Sequence, residues 1–108
     1  MLAIEAERLP RNQSGASHVP DMPEGLVLAG NGPGVVFADW ADTPRAEHYR
    51  VEKQIVSVDA DFVRAETRDA SDATLTGLPS GKTLRVRIVA VNEAGPSVPS
   101  AVVEIVVP

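Results

Sequence analysis

Of the positively charged segments in this sequence, the one that most resembles a binding site runs from Gly77 to Asn92, GLPSGKTLRVRIVAVN. Arg85 and Arg87 stand among valine, leucine and isoleucine, and such a pair could hold a phosphate or a carboxylate. The apolar residues alternate with the arginines, which is the period of a strand with one solvated face. Glu52 and Glu104 are expected on flanking strands, so we predict cross-strand ion pairs rather than an anion site.

Two histidines, His18 and His48, could take part in acid–base chemistry near neutral pH. His18 lies in a polar segment, and His48 begins an apolar run. The sequence contains no G-x-S-x-G motif, and neither histidine has sequence neighbours that suggest a Ser-His-Asp set. We therefore predict that the protein is not an enzyme and uses no cofactor.

Two pairs of aspartates could contact a cation, Asp59 with Asp61 and Asp69 with Asp72. An EF-hand loop also needs a third ligand, a glycine and a distal glutamate in register, and the sequence lacks them. Both pairs fall in expected loops, where aspartate accepts hydrogen bonds from nearby backbone. We predict turn residues and no metal site, and a weak calcium site is the alternative.

The chain has 108 residues, with 15 acidic and 10 basic side chains and a net charge of −5. A nucleic-acid-binding domain normally carries positive charge to neutralise phosphates, so no nucleic acid is expected as a partner. The absence of cysteine excludes disulfides, thiolate zinc sites and cysteine nucleophiles. Glutamates stand where a signal peptide needs an apolar core, and no apolar run reaches transmembrane length, so we expect no membrane insertion. The localisation stays open, with the cell surface, the extracellular space or a virion expected for a larger parent protein.

The N-terminal part of the sequence differs from the rest in composition. Residues 10–25 are polar and contain three prolines and two glycines, which is typical of a linker. The preceding stretch, LAIEAERL, could form one or two helical turns or a strand. We predict an N-terminal arm and linker over residues 1–22 and one domain over residues 23–108.

From Leu26 onward, apolar runs of four to nine residues recur, and turn residues close each of them. The runs are LVLA, VVFADW, HYRVEKQIV, DFVRAET, ATLTGL, TLRVRIVAV and AVVEIVV. Seven short β-prone runs at this spacing predict an all-β fold, a seven-stranded antiparallel β-sandwich. Period-2 alternation assigns one face of each run to the core, where we expect Trp40, Tyr49, Leu84 and Ile88 as anchors.

Trp40 in the second run, HYRVE in the third, and GLPSGKTLRVRIVAVNEAGPSVPS together resemble a fibronectin type III domain. The resemblance covers about residues 26–108. It implies two sheets, A-B-E packed on C′-C-F-G, with the sixth run as strand F and NEAGPSVPS as the F–G loop. Arg-Gly-Asp and Trp-Ser-x-Trp-Ser are both absent, so the functions of those motifs are not carried over.

The sequence departs from the family at Leu84, where members usually carry a tyrosine whose hydroxyl ties back to the E–F turn. Leucine can fill the space, but it cannot donate that hydrogen bond. The turn is therefore expected to depend on packing and on the backbone geometry of its LPSG segment.

Alternation also places valines on the outward face of strands F and G, namely Val89, Val91, Val102 and Val106. Four adjoining valines would form a partner face for a protein or a neighbouring domain. Strand G is also a sheet edge that another strand could extend. The alternative is that β propensity alone explains these residues.

Phe37 is a second outward apolar residue, and it lies on the other sheet. Leu2, Ile4 and Leu9 of the arm could cover it, which would give the arm a structural role.

The resemblance implies a non-catalytic module that acts as a spacer or a protein–protein interaction domain. Such modules are common in bacterial or phage surface proteins and in extracellular enzymes, so we expect a larger parent protein. One alternative is a stand-alone assembly or decoration protein that docks through its arm. Another is an accessory carbohydrate-binding module, for which only Phe37 and Phe62 remain as exposed aromatic candidates.

Overall fold

The computed structural model describes residues 18–108, which form eight β-strands in two sheets and no helix. The strands are β1 (Val27–Gly30), β2 (Val36–Asp39), β3 (His48–Ile55), β4 (Val63–Arg68), β5 (Asp72–Leu75), β6 (Thr83–Asn92), β7 (Gly95–Pro96) and β8 (Val103–Val106). Within this part of the chain, no helix is long and apolar enough to span a bilayer.

One sheet has the order β1-β2-β5 and the other the order β4-β3-β6-β7, and β8 also pairs with β6. Every pairing is antiparallel. Each of the seven apolar runs contains one strand, and the order confirms the expected A-B-E sheet on a C′-C-F-G sheet. The additional strand, β7, has two residues and lies inside the expected F–G loop, where Asn92 pairs with Gly95 and Val91 with Pro96.

The core fills the space between the sheets because apolar side chains alternate along β2, β3, β5 and β6. All four predicted anchors belong to it. The buried cluster comprises Val36, Ala38, Trp40, Tyr49, Val51, Ile55, Ala73, Leu75, Leu78, Leu84, Val86, Ile88, Ala90 and Val107.

Trp40 and Tyr49 form an aromatic pair at the end of the core. Their ring centroids lie 5.3 Å apart with an angle of 76° between the planes, the favourable edge-to-face arrangement. The Tyr49 hydroxyl accepts a hydrogen bond of 2.8 Å from the backbone N–H of Thr43, which fixes the loop between β2 and β3. The indole N–H of Trp40 is buried and has no hydrogen-bond partner among the described residues. Trp40 therefore stabilises the domain through packing.

Leu84 is fully buried next to the turn that leads from β5 to β6. Main-chain hydrogen bonds hold this turn. The N–H of Leu78 donates to the carbonyl of Gly34 at 3.1 Å, and the N–H of Gly81 donates to the carbonyl of Val107 at 2.9 Å. The turn thus bonds to the chain segments around it through backbone groups, and Leu84 contributes apolar packing.

Two buried serines connect β7 to β8 along the edge of β6. The N–H of Ser97 donates to the carbonyl of Ala90, and the hydroxyl of Ser97 accepts from the N–H of Ala90. Ser100 makes the same two bonds with Ile88. Side-chain oxygens therefore satisfy backbone donors of β6 where the regular ladder is interrupted.

We predict that Trp40→Ala lowers the free energy of unfolding by about 3–5 kcal/mol, because it leaves a large cavity beside Tyr49. Urea denaturation followed by far-UV circular dichroism measures this loss. Val98→Ala is the control, since Val98 is 63% exposed and its truncation should change the free energy by about 0.5 kcal/mol or less. Equal effects of the two variants would contradict the role assigned to Trp40.

Candidate interaction surfaces

The four valines of the predicted partner face lie in different environments. Val102 and Val106 are exposed, at 45% and 61%, and Val91 is half-buried. Val89 is only 4% exposed, so the expectation that it lies on an accessible surface is wrong. Val89 lies opposite Arg50 of β3 on one side. On the other side, the segment that contains Ser97 and Ser100 runs along the edge of β6 beside it.

The four valines also do not all adjoin one another. Val106 pairs with Thr83 at the start of β6, whereas Val91 lies eight residues further along the same strand. At about 3.3 Å per residue, this places the two side chains on the order of 26 Å apart. The sequence reveals which face each valine occupies, but the pairing register decides how far apart they lie. The four residues therefore do not form one continuous patch.

The arginines of β6 lie between carboxylates on both neighbouring strands, as predicted. Arg85 donates to Glu104 of β8 at 2.7 Å, and Arg87 donates to Glu52 of β3 at 2.7 Å. The Arg87 guanidinium also lies 4.2 Å above the centre of the Phe62 ring. Because Arg87 covers this ring, Phe62 is not an exposed aromatic platform for a carbohydrate.

One aspartate of each acidic pair contacts a basic side chain. Asp59 accepts a 2.8 Å hydrogen bond from the N–H of Ile55, and its carboxylate lies 3.9 Å from the ammonium of Lys53. Asp72 lies 3.5 Å from the guanidinium of Arg68. Across residues 18–108, no group of three or more histidine or acidic side chains is arranged to hold a metal ion.

Neither histidine is part of a nucleophilic set in the described structure. His48 is half-buried at the start of β3, opposite Val91. The backbone carbonyl of His18 accepts a 2.8 Å hydrogen bond from the side-chain amide of Asn92.

Asn92 organises the end of the sandwich at which the described chain begins. Its side-chain amide donates to the carbonyls of His18 at 2.8 Å and Arg45 at 3.1 Å, and its oxygen accepts from the N–H of Ala94. Arg45 in turn pairs with Asp21 at 2.6 Å. Residues 18–22, the described portion of the predicted arm, therefore contact the sandwich. The sequence alone does not reveal this role of Asn92, because His18 and Arg45 lie far from it in the chain.

Pro108 is held at the opposite end of the sandwich. Its carbonyl accepts hydrogen bonds from the N–H of Gly34 at 2.9 Å and from the hydroxyl of Ser80 at 2.8 Å. Its ring packs against Gly30, where an added Cβ would lie 3.0 Å from the proline Cγ. A glycine in β1 thus permits the close approach of the last residue.

Phe37 is the one large aromatic residue that the described structure leaves exposed on the β1-β2-β5 sheet, at 42%. The residues expected to cover it, Leu2, Ile4 and Leu9, lie outside the described part of the chain. Phe37 lines an open hollow of about 370 Å³ on this face.

We predict that Val89→Lys strongly destabilises the domain, whereas Val102→Lys leaves its stability nearly unchanged. An unpaired lysine at the buried position loses its hydration, which costs several kcal/mol, about enough to unfold a domain of this size. Thermal denaturation at neutral pH measures both variants. If the Val89→Lys protein unfolds at the same temperature as the Val102→Lys protein, the burial assigned to Val89 is refuted.

The sequence matches no protein-family model and no curated protein sequence. Among solved structures, it is similar to the one described as "FN3tt mut" at 27% identity and a TM-score of 0.68, covering 82% of this chain and 97% of that one. The FN5 domain of Drosophila Lar gives a TM-score of 0.71 at 17% identity, with 83% of this chain and 98% of that chain covered. A structure of titin kinase and its flanking domains gives 0.75 at 22% identity over 84% of this chain, which spans only 18% of that structure. Together with the strand order of the two sheets, these similarities show that residues 18–108 have the fibronectin type III fold.

Proposed function

We propose that the chain is a non-catalytic fibronectin type III module that holds its neighbours at a fixed separation and contacts other proteins. The observation that carries this proposal is the position of the two ends. The first described residue, His18, is held beside Asn92, and Pro108 is held beside Ser80. Both of these positions are bonded to the sandwich, so the fold fixes the spacing between them.

Strand β6 gives the length of this spacer. Asn92 at its end holds His18, and Thr83 at its beginning pairs with Val106, close to Pro108. The nine steps between Thr83 and Asn92 correspond to about 30 Å at 3.3 Å per residue. Chain segments that continue from His18 and from Pro108 would therefore leave the sandwich about this far apart.

The parent that we propose is a larger bacterial or phage surface protein or an extracellular enzyme. Domains of this fold occur within longer chains, such as titin kinase with its flanking domains. The absence of cysteine is compatible with this assignment because the fold here needs no disulfide. The reading frame around the coding sequence tests it, since stop codons at both ends would overturn the proposal of a larger protein.

Neither alternative function gains support from the described residues. A stand-alone protein docking through its arm would depend on residues 1–17, which lie outside the described chain. A carbohydrate module would need several exposed aromatic platforms, and with the Phe62 ring covered by Arg87, Phe37 is the one candidate that stays exposed among the described residues.

We predict a single narrow distance distribution between spin labels on Val19→Cys and Val106→Cys, centred on the order of 30 Å. Both positions are exposed, and the chain has no cysteine of its own to interfere with labelling. Pulsed electron–electron double resonance measures the distribution.

Asn92→Ala in the same labelled protein is the matched comparison. It removes the two bonds from the side-chain amide to the His18 and Arg45 carbonyls, so the distribution should broaden while the fold persists. A broad distribution in the protein that retains Asn92 would show that the entry point is not fixed and would contradict the spacer function.

A further inference from the structure

The hollow beside Phe37 combines an aromatic ring with two carboxylates. On β2, Phe37 and Asp39 both point away from the core. The register places Thr74 opposite Phe37 and Asp72 opposite Asp39 on the adjacent strand β5. All four residues line the hollow of about 370 Å³. The exposed face of this sheet therefore carries a shallow site with one apolar side and one acidic side.

The two carboxylates are directly opposed, which is unfavourable without a cation between them. Side chains at opposed positions of an antiparallel pair have Cβ atoms about 4.5–5.5 Å apart, and like charges at that spacing repel. Asp72 has one compensating contact, the Arg68 guanidinium at 3.5 Å. Asp39 forms no ion pair with any residue between 18 and 108. The negative charge of the pair is thus only partly compensated within the described chain.

On the other sheet, an aromatic ring, a carboxylate and a guanidinium already contact one another. The Arg87 guanidinium lies 4.2 Å above the Phe62 ring while it donates a 2.7 Å hydrogen bond to Glu52. Ring, carboxylate and guanidinium satisfy one another in that arrangement. The hollow at Phe37 has the ring and the carboxylates, and among the described residues a guanidinium contacts Asp72 but not Asp39.

We propose that the hollow binds an arginine side chain presented by a partner protein. The planar guanidinium donates to Asp39 and Asp72 at once, and it packs against the exposed ring of Phe37. Arginine fits better than lysine because its donors are spread along a flat fork that can engage two carboxylates, whereas an ammonium is a point charge. The inference names one contact surface of the proposed module and does not depend on its role as a spacer.

The probe for this test is N-acetyl-arginine methylamide, and N-acetyl-citrulline methylamide is its uncharged counterpart. Two-dimensional ¹H–¹⁵N NMR of the full chain follows the backbone amides during the titration. The arginine probe should shift the amides of Phe37, Asp39, Asp72 and Thr74, whereas the citrulline probe should leave them nearly unchanged.

The double variant Asp39→Asn and Asp72→Asn tests the carboxylates. Its affinity for the arginine probe should fall about tenfold or more, since the guanidinium loses both of its charged acceptors. The matched control is Asp42→Asn with Glu47→Gln, which removes the same charge from exposed positions that do not line the hollow. The control should bind within about twofold of the unmodified protein. Thermal denaturation checks the fold, and the Asn pair should melt no lower because the repulsion has been removed.

Three results would overturn the proposal. The citrulline probe could shift the same amides as strongly, or the control variant could lose as much affinity as the Asp39 and Asp72 variant. Alternatively, binding could appear only after residues 1–17 are deleted, which would mean that the chain itself fills the hollow. None of these results changes the distance between the two ends of the domain, so failure here is distinguishable from failure of the spacer function.

Discussion

The burial of one face of β6 is the constraint on which the rest of the structure depends. Leu84, Val86, Ile88 and Ala90 point inward from this strand and are fully shielded from water. The strand is also hydrogen-bonded along both edges, to β3 on one side and to β8 and β7 on the other. The inward side chains can therefore be buried only if the opposite sheet covers them. Trp40, which follows β2, and Tyr49 of β3 close the same core from opposite sheets.

The same strand sets the direction of the module. The groups at the two ends of β6 determine where the first described residues and the last residue of the chain lie. Asn92 holds the backbone of His18 at one end, and Thr83 pairs with Val106 next to Pro108 at the other. Backbone carbonyls accept the hydrogen bonds at both points, so the attachment does not depend on the side chains of the terminal residues.

The two outward faces differ in how their charges are compensated. On the β4-β3-β6 face, Arg85 and Arg87 each have a carboxylate at 2.7 Å, so both of these charges are paired within the chain. On the β1-β2-β5 face, Asp39 is opposed by another aspartate. A surface whose charges pair within the chain offers little to a charged partner. A surface with a partly compensated pair of carboxylates and an exposed ring retains the capacity to bind a cation.

The sequence by itself determined the fold class, the existence of all seven main strands and the face that most side chains occupy. These follow from local physics: period-2 alternation fixes the face, and proline and glycine end each strand. It also predicted the ion pairs of Arg85 and Arg87, since glutamates were expected on both flanking strands. Only the tertiary structure decided which residues stand opposite one another, because register depends on pairings between distant segments. That is why Val89 is enclosed, why Val91 and Val106 are far apart, and why Asp39 faces Asp72.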